Sequence, residues 1–85
     1  MTDRKRQITG AQLRAARALL NLSAQDLAEI TKLSRGTIQR AELETAQITT
    51  ANSERIAEAL ERLGVIFLAS NGEGPGVRMR KQRKK

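Results

Sequence analysis

The chain has no cysteine, histidine, tryptophan or tyrosine, and only one phenylalanine and one proline. Without cysteine and histidine there is no disulfide, no thiolate metal site and no zinc finger. Most histidine-based acid–base and nucleophilic catalysis is excluded as well. A carboxylate metal site would need clustered acids, yet the only aspartates are Asp3 and Asp26, far apart. Nothing calls for an enzyme, a cofactor, a metal or a small-molecule ligand. The shortage of aromatics removes the stacking platforms on which single strands and RNA loops are read, since Phe67 stands alone. No apolar run approaches the roughly 20 residues of a membrane span. Residues 1–7 are polar and basic with no apolar stretch behind them, unlike a secretory signal. The expected location is cytoplasmic, with no membrane partner.

What is present is a short chain with a lopsided charge. Its 85 residues make one small domain, and such a domain buries only about 60% of its unfolded surface. The net charge is +7. Arg4, Lys5 and Arg6 outweigh Asp3 at the N-terminal end. Arg78, Arg80, Lys81, Arg83, Lys84 and Lys85 outweigh Glu73 at the other. Between residues 8 and 68 the bases and acids number seven each, so all the net charge sits in the two ends. Basic ends of this kind suit phosphate backbones or anionic surfaces; the plainer reading is a solubilising tail.

Helix-start chemistry recurs three times. Thr9 can cap a helix with Gln12 as its reciprocal partner, and Ile8 and Leu13 are placed as a hydrophobic staple. Ser23, Asp26, Leu22 and Leu27 repeat the arrangement. Ser34, with Leu33 and Ile38, starts it again. The spacing predicts helices over Gly10–Leu20, Ala24–Thr31 and Arg35–Leu43. Asn21 can end the first because asparagine tolerates the left-handed conformation. The second buries Leu27, Ala28 and either Ile30 or Thr31. The third has a narrow apolar face of Ile38 and Ala41, widened by the stem of Glu42. A fourth helix starts at Thr49 or Thr50, carries Ile56, Ala57, Leu60 and Leu63 on one face, and ends at Gly64. Val65–Leu68 and Val77–Arg80, separated by the glycine-rich 71–76, read as a β-hairpin. A lone hairpin is marginal in water, so it must pack on the helices or pair with a second copy.

The second and third helices are joined by the tight turn Thr31-Lys32-Leu33-Ser34, and the third is polar on its outer side. A helix-turn-helix has this form, and its second helix enters the major groove N-terminus first. Arg35, Thr37, Gln39 and Arg40 lie on the exposed side or near the start of that helix. Arginine can pair bidentately with guanine, glutamine with adenine, and the threonine methyl can meet that of thymine. Gly36 would let the backbone approach the duplex. Ser23, Gln25 and Ser34 lie at helix N-termini, where free N–H groups favour phosphate. Arg14 and Arg17 are balanced between phosphate contact and an ordinary helix surface.

The run Ser23-Ala24-Gln25-Asp26-Leu27-Ala28-Glu29, then Leu33-Ser34-Arg35-Gly36-Thr37-Ile38-Gln39-Arg40, then Glu42, resembles the lambda-repressor-like, Cro-type helix-turn-helix family. The resemblance extends over about residues 8–64 and includes the opening Leu13-Arg14-Ala15-Ala16-Arg17. The segments Gly64–Phe67 and Gly74–Arg80 are similar to a small bacterial and phage-like subgroup. The resemblance implies a mostly α fold of four helices followed by a short C-terminal β-hairpin, with Ala28 and Ile38 as packing positions. It implies Arg35, Gly36, Thr37, Gln39 and Arg40 as the base-facing set, and Gln25 and Ser34 as backbone contacts. Three positions depart from the family pattern. Lys32 stands where glycine is usual, Ala41 where a large apolar residue is frequent, and Ala24 where glutamine is usual.

The expected function is sequence-specific binding of double-stranded DNA by a transcriptional regulator acting as a repressor. It is expected to work as a homodimer, with the hairpin a dimerisation element. The organisation is a basic arm (1–7), the helix-turn-helix domain (8–64), the hairpin (65–80) and a basic disordered tail (81–85). The alternative is an antitoxin-like interaction module whose basic C-terminal tail binds an acidic protein partner.

Overall fold

A computed structural model describes residues 8–43, 50–69 and 72–81 of the chain. The basic arm (1–7), Thr49 as a helix start, the turn residue Asn71 and tail residues 82–85 lie outside the described residues. Among the described residues four helices precede one antiparallel hairpin: α1 (Gly10–Leu19), α2 (Ala24–Thr31), α3 (Arg35–Leu43), α4 (Thr50–Arg62), β1 (Val65–Leu68) and β2 (Gly76–Met79). The mostly α architecture is the one expected.

The caps form as the local chemistry demands. The Thr9 hydroxyl accepts from the Gln12 N–H at 3.0 Å, and the Gln12 side chain accepts from the Thr9 N–H at 2.9 Å. Ser23 and Asp26 make the same reciprocal pair at the head of α2. Each capping box satisfies N–H groups that a helix start leaves without internal partners. Ile8, Leu22 and Leu33, the residues just before the caps, pack against the common core.

The two tight connections both use a left-handed residue. Asn21 has φ 58°. The next N–H, that of Leu22, donates back to the Arg17 carbonyl at 3.1 Å, and the Asn21 N–H donates to the Ala18 carbonyl at 3.0 Å. This double closure is the Schellman pattern. Lys32 has φ 63°, and the Leu33 N–H closes on the Ala28 carbonyl in the same way. Lysine, unlike glycine, meets a steric penalty of about 1 kcal/mol in this conformation. Lys32 is exposed, so Lys32→Gly is expected to stabilise the domain. The gain should be a few tenths to about 1 kcal/mol, reduced by glycine's extra freedom in the unfolded chain. Thermal unfolding should show a higher midpoint, and an unchanged or lowered one would mean that the turn carries no such strain.

One core joins all four helices to the hairpin. Leu13 and Ala16 of α1, Leu27 and Ala28 of α2, Ile38 and Ala41 of α3, Ile56 and Leu60 of α4, and Val65 of β1 form a single buried cluster. Of the two candidates at the end of α2, Thr31 is the buried one, and Ile30 is exposed. The Thr31 hydroxyl is satisfied by donating back to the Leu27 carbonyl at 2.8 Å. Periodicity alone puts Leu63 on the buried face of α4, and the structure corrects this. α4 ends at Arg62, Leu63 is largely exposed, and Ala59 is buried. Gly64 turns the chain with φ 113°, and a Cβ there would meet Met79 Cε at 3.2 Å.

Pairing within the hairpin sets Val65 opposite Met79, Ile66 opposite Arg78, Phe67 opposite Val77 and Leu68 opposite Gly76. Because alternate residues share a face, Val65, Phe67 and Val77 lie together, and Phe67 and Val77 pack on the core. Ile66 therefore belongs to the outer face beside Arg78. The side-chain amide of Gln12, buried in α1, donates to the Leu68 and Gly76 carbonyls at 3.2 and 2.9 Å. The mouth of the hairpin is thereby fastened to α1. Among the described residues no helix is long and apolar enough to cross a membrane.

Candidate nucleic-acid interface

The position of α3 follows from which of its residues can be buried. Ile38, Ala41 and Glu42 face inward, and Arg35, Gln39 and Arg40 are exposed. Ile38 is fully buried and fixes the helix against α1 and α2. Glu42, only 6% exposed, is the unusual member. A buried carboxylate is tolerable only when paired and hydrogen-bonded. Arg17 supplies both, its Nε donating to Glu42 Oε2 at 2.7 Å and its Nη2 to Oε1 at 2.9 Å. The third nitrogen, Nη1, donates to the Leu22 carbonyl at 2.9 Å. Arg17 thus ties α1, the α1–α2 connection and α3 into one unit. Its hydrogen bonds to Glu42 raise its pKa; burial opposes this, and the opposite charge adds to the rise. Arg14 Nη1 reaches the Glu42 main-chain carbonyl at 3.2 Å. Both arginines are candidates for phosphate on sequence grounds, and the structure directs both toward α3.

The beginning of α3 carries a small polar network. The Ser34 hydroxyl accepts from the Thr37 N–H at 3.1 Å, and the two hydroxyls share a hydrogen bond of 2.9 Å. Arg40 Nη2 donates to Thr37 Oγ1 at 3.4 Å. Side chains of a helix lean toward its N-terminus, so the guanidinium of Arg40 lies back over the first turn. A Cβ on Gly36 would stand 3.3 Å from Arg40 Nη1. Arg35 and Gln39 are exposed.

The remaining candidate, Gln25, is exposed near the start of α2, and its amide donates to Glu29 Oε2 at 3.3 Å. Asp26 beside it is exposed, and its carboxyl is held below its usual range by hydrogen bonds from the backbone and side chain of Ser23. Arg35, Gly36, Thr37, Gln39 and Arg40 therefore share one short helix, Ser34 stands just before it, and Gln25 lies on the preceding helix. Sequence reasoning missed the internal roles of Arg17 and Glu42, whose link spans 25 residues and leaves no local sign. It also missed the Ser34–Thr37–Arg40 network, although the recurring spacing of three was a visible signal.

Among the described residues no group of acids is placed to hold a metal ion. A shallow depression of about 410 Å³, lined by Glu58, Glu61, Arg62 and Arg80, lies between α4 and the end of the hairpin, on elements other than α3.

The family model described as "Helix-turn-helix" matches residues 13–64, more than half of the chain. Comparison with curated proteins finds no match.

Proposed function

The chain belongs to the Cro/C1-type, lambda-repressor-like helix-turn-helix family of DNA-binding regulators, and from that premise we propose that it reads specific sites on double-stranded DNA and represses transcription by occupying them. α3 enters the major groove. Arg35, Thr37, Gln39 and Arg40 read base edges, Gly36 permits the close approach, and Gln25 and Ser34 contact the phosphate backbone. The observation that carries this reading is the division of α3 into a held side and a free side. Ile38, Ala41 and Glu42 are buried, and Arg35, Gln39 and Arg40 are exposed. A major groove about 12 Å wide accepts one such helix.

The charge distribution supports it. The basic ends, residues 1–7 and 81–85, add attraction to phosphate that is independent of sequence. Regulators of this kind bind half-sites roughly 34 Å apart as two-fold pairs. The protein is accordingly a homodimer in this reading, with the hairpin at residues 65–80 as its pairing element. It works in the cytoplasm and needs no ligand or cofactor. The alternative, an antitoxin-like module binding an acidic protein, draws support from the same basic C-terminal end.

Selection by the full chain from a random duplex library at physiological salt tests the reading. The expected result is an enriched site with two related halves. A folded protein that enriches nothing would overturn base reading and favour the interaction module.

A further inference from the structure

We infer that Ser34, Gly36, Thr37 and Arg40 act as one unit that reads a guanine, with Arg40 as the reading residue and Thr37 and Gly36 as its positioning residues. The inference rests on the proposed entry of α3 into the major groove and assigns the base class it would select there.

The network is a chain of donors and acceptors with a definite surplus. Ser34 Oγ accepts the Thr37 N–H, Thr37 Oγ1 accepts from Arg40 Nη2, and one hydroxyl proton is used between Ser34 and Thr37. Two hydroxyls carry two protons, so one is left over for an outside acceptor whichever of them donates inward. Arg40 is exposed and keeps further guanidinium N–H groups for an outside acceptor, since arginine has five donors and no acceptor. The tip of α3 therefore offers chiefly donors. Guanine alone presents two adjacent acceptors, N7 and O6, in the major groove. Adenine sets a donor beside its N7, and cytosine presents the N4 donor.

Placement of the guanidinium is the second part. Arg40 is exposed, and a free arginine side chain has rotamer entropy to lose on binding. The Thr37 hydroxyl and the empty space over Gly36 hold it over the first turn, which reduces that loss. Beside its own contact with a base edge, Thr37 then acts through its oxygen on Arg40. The space over Gly36, besides permitting the close approach, also serves a side chain of the same helix.

Selection with four variants separates these roles. Arg40→Ala is expected to lose about 5- to 150-fold on the best site, the range of one good bidentate pair. The loss should appear as relaxed preference at a single guanine. Thr37→Val keeps the shape and the methyl but removes the oxygen. It is expected to weaken preference at that same guanine, with no further effect when Arg40 is already alanine. Thr37→Ser, which restores the oxygen without the methyl, should recover the preference. Gly36→Ala should give a smaller loss at the same position, because Arg40 Nη1 must give way by a few tenths of an ångström. Circular dichroism melting shows that each variant is folded. If the wild type enriches a site but Thr37→Val binds it unchanged, the inference is overturned and base reading stands. The inference falls equally if Thr37→Val acts at a different base from Arg40→Ala, or if no guanine is read by Arg40. If the wild type enriches nothing, both base reading and the inference fail.

Discussion

Arg17→Ala is expected to cost about 3–5 kcal/mol of folding stability, the penalty for leaving one member of a buried ion pair alone. A chain of this length commands roughly 4–13 kcal/mol in total, so the variant should be marginal or unfolded at room temperature. The large figure follows from which partner remains. Glu42 is 6% exposed on its side chain and Arg17 is 22% exposed. Alanine at 17 strands the deeper charge, and it also removes the donor to the Leu22 carbonyl. Removing Glu42 instead leaves a guanidinium that can turn to water. Glu42→Gln should therefore cost distinctly less, because the amide still accepts one of the two bonds. Urea unfolding followed by circular dichroism gives all three stabilities. A loss below about 1 kcal/mol for Arg17→Ala would place the pair among surface salt bridges of little worth. Replacing both residues by apolar ones of similar volume should recover most of the loss. That double variant should keep α3 in place, and so keep DNA binding if Arg17 serves position alone.

The contrast between this pair and the caps shows what could be read in the sequence. Thr9 with Gln12 and Ser23 with Asp26 lie three residues apart, and their partners are backbone groups of the same turn. Such bonds depend on nothing distant, so the starts of α1 and α2 were legible. Asn21 was legible for a related reason, because asparagine tolerates the left-handed turn between two apolar-periodic runs, whereas Lys32 was marked only by the glycine usual at its place in the family it resembles. The exposed set on α3 followed from periodicity. The reach of Arg17 to Glu42, and of Gln12 to residues 56 and 64 positions away, depends on how α1 lies against α3 and the hairpin. No spacing rule contains that information. Leu63 was misplaced because a helical wheel extended one residue past the end of α4, where the chain turns at Gly64 and the face is lost.

Gln12 is the residue where local legibility and distant consequence meet, and its replacement is expected to have the next largest effect. In Gln12→Leu the volume is nearly kept, so the loss isolates the polar role. The Thr9 N–H loses its acceptor, and the Leu68 and Gly76 carbonyls lose a shared donor. A buried group left unsatisfied costs about 1–3 kcal/mol. The two carbonyls belong to half-buried residues at the mouth of the hairpin, where water can partly replace the amide. A total of about 2–3 kcal/mol is therefore expected. The effect should also be local. Val65 holds the opposite end of the hairpin in the core, and two strands alone are marginal. Amide hydrogen exchange should accelerate at the Leu68–Gly76 end, with protection in α2 and α3 retained. Uniform acceleration across all elements would mean that the hairpin unfolds only with the whole domain. Gln12→Glu makes the complementary case. A carboxylate can still accept from Thr9, but it turns two lone-pair-bearing oxygens toward two carbonyls. Protonation would give back a donor toward the carbonyls, so the variant is expected to be more stable at acid than at neutral pH. It should lose stability as pH rises, a trend absent from Gln12→Leu. If the hairpin pairs two copies, both variants should also weaken the dimer, with the base preference proposed for α3 unchanged in the DNA that still binds.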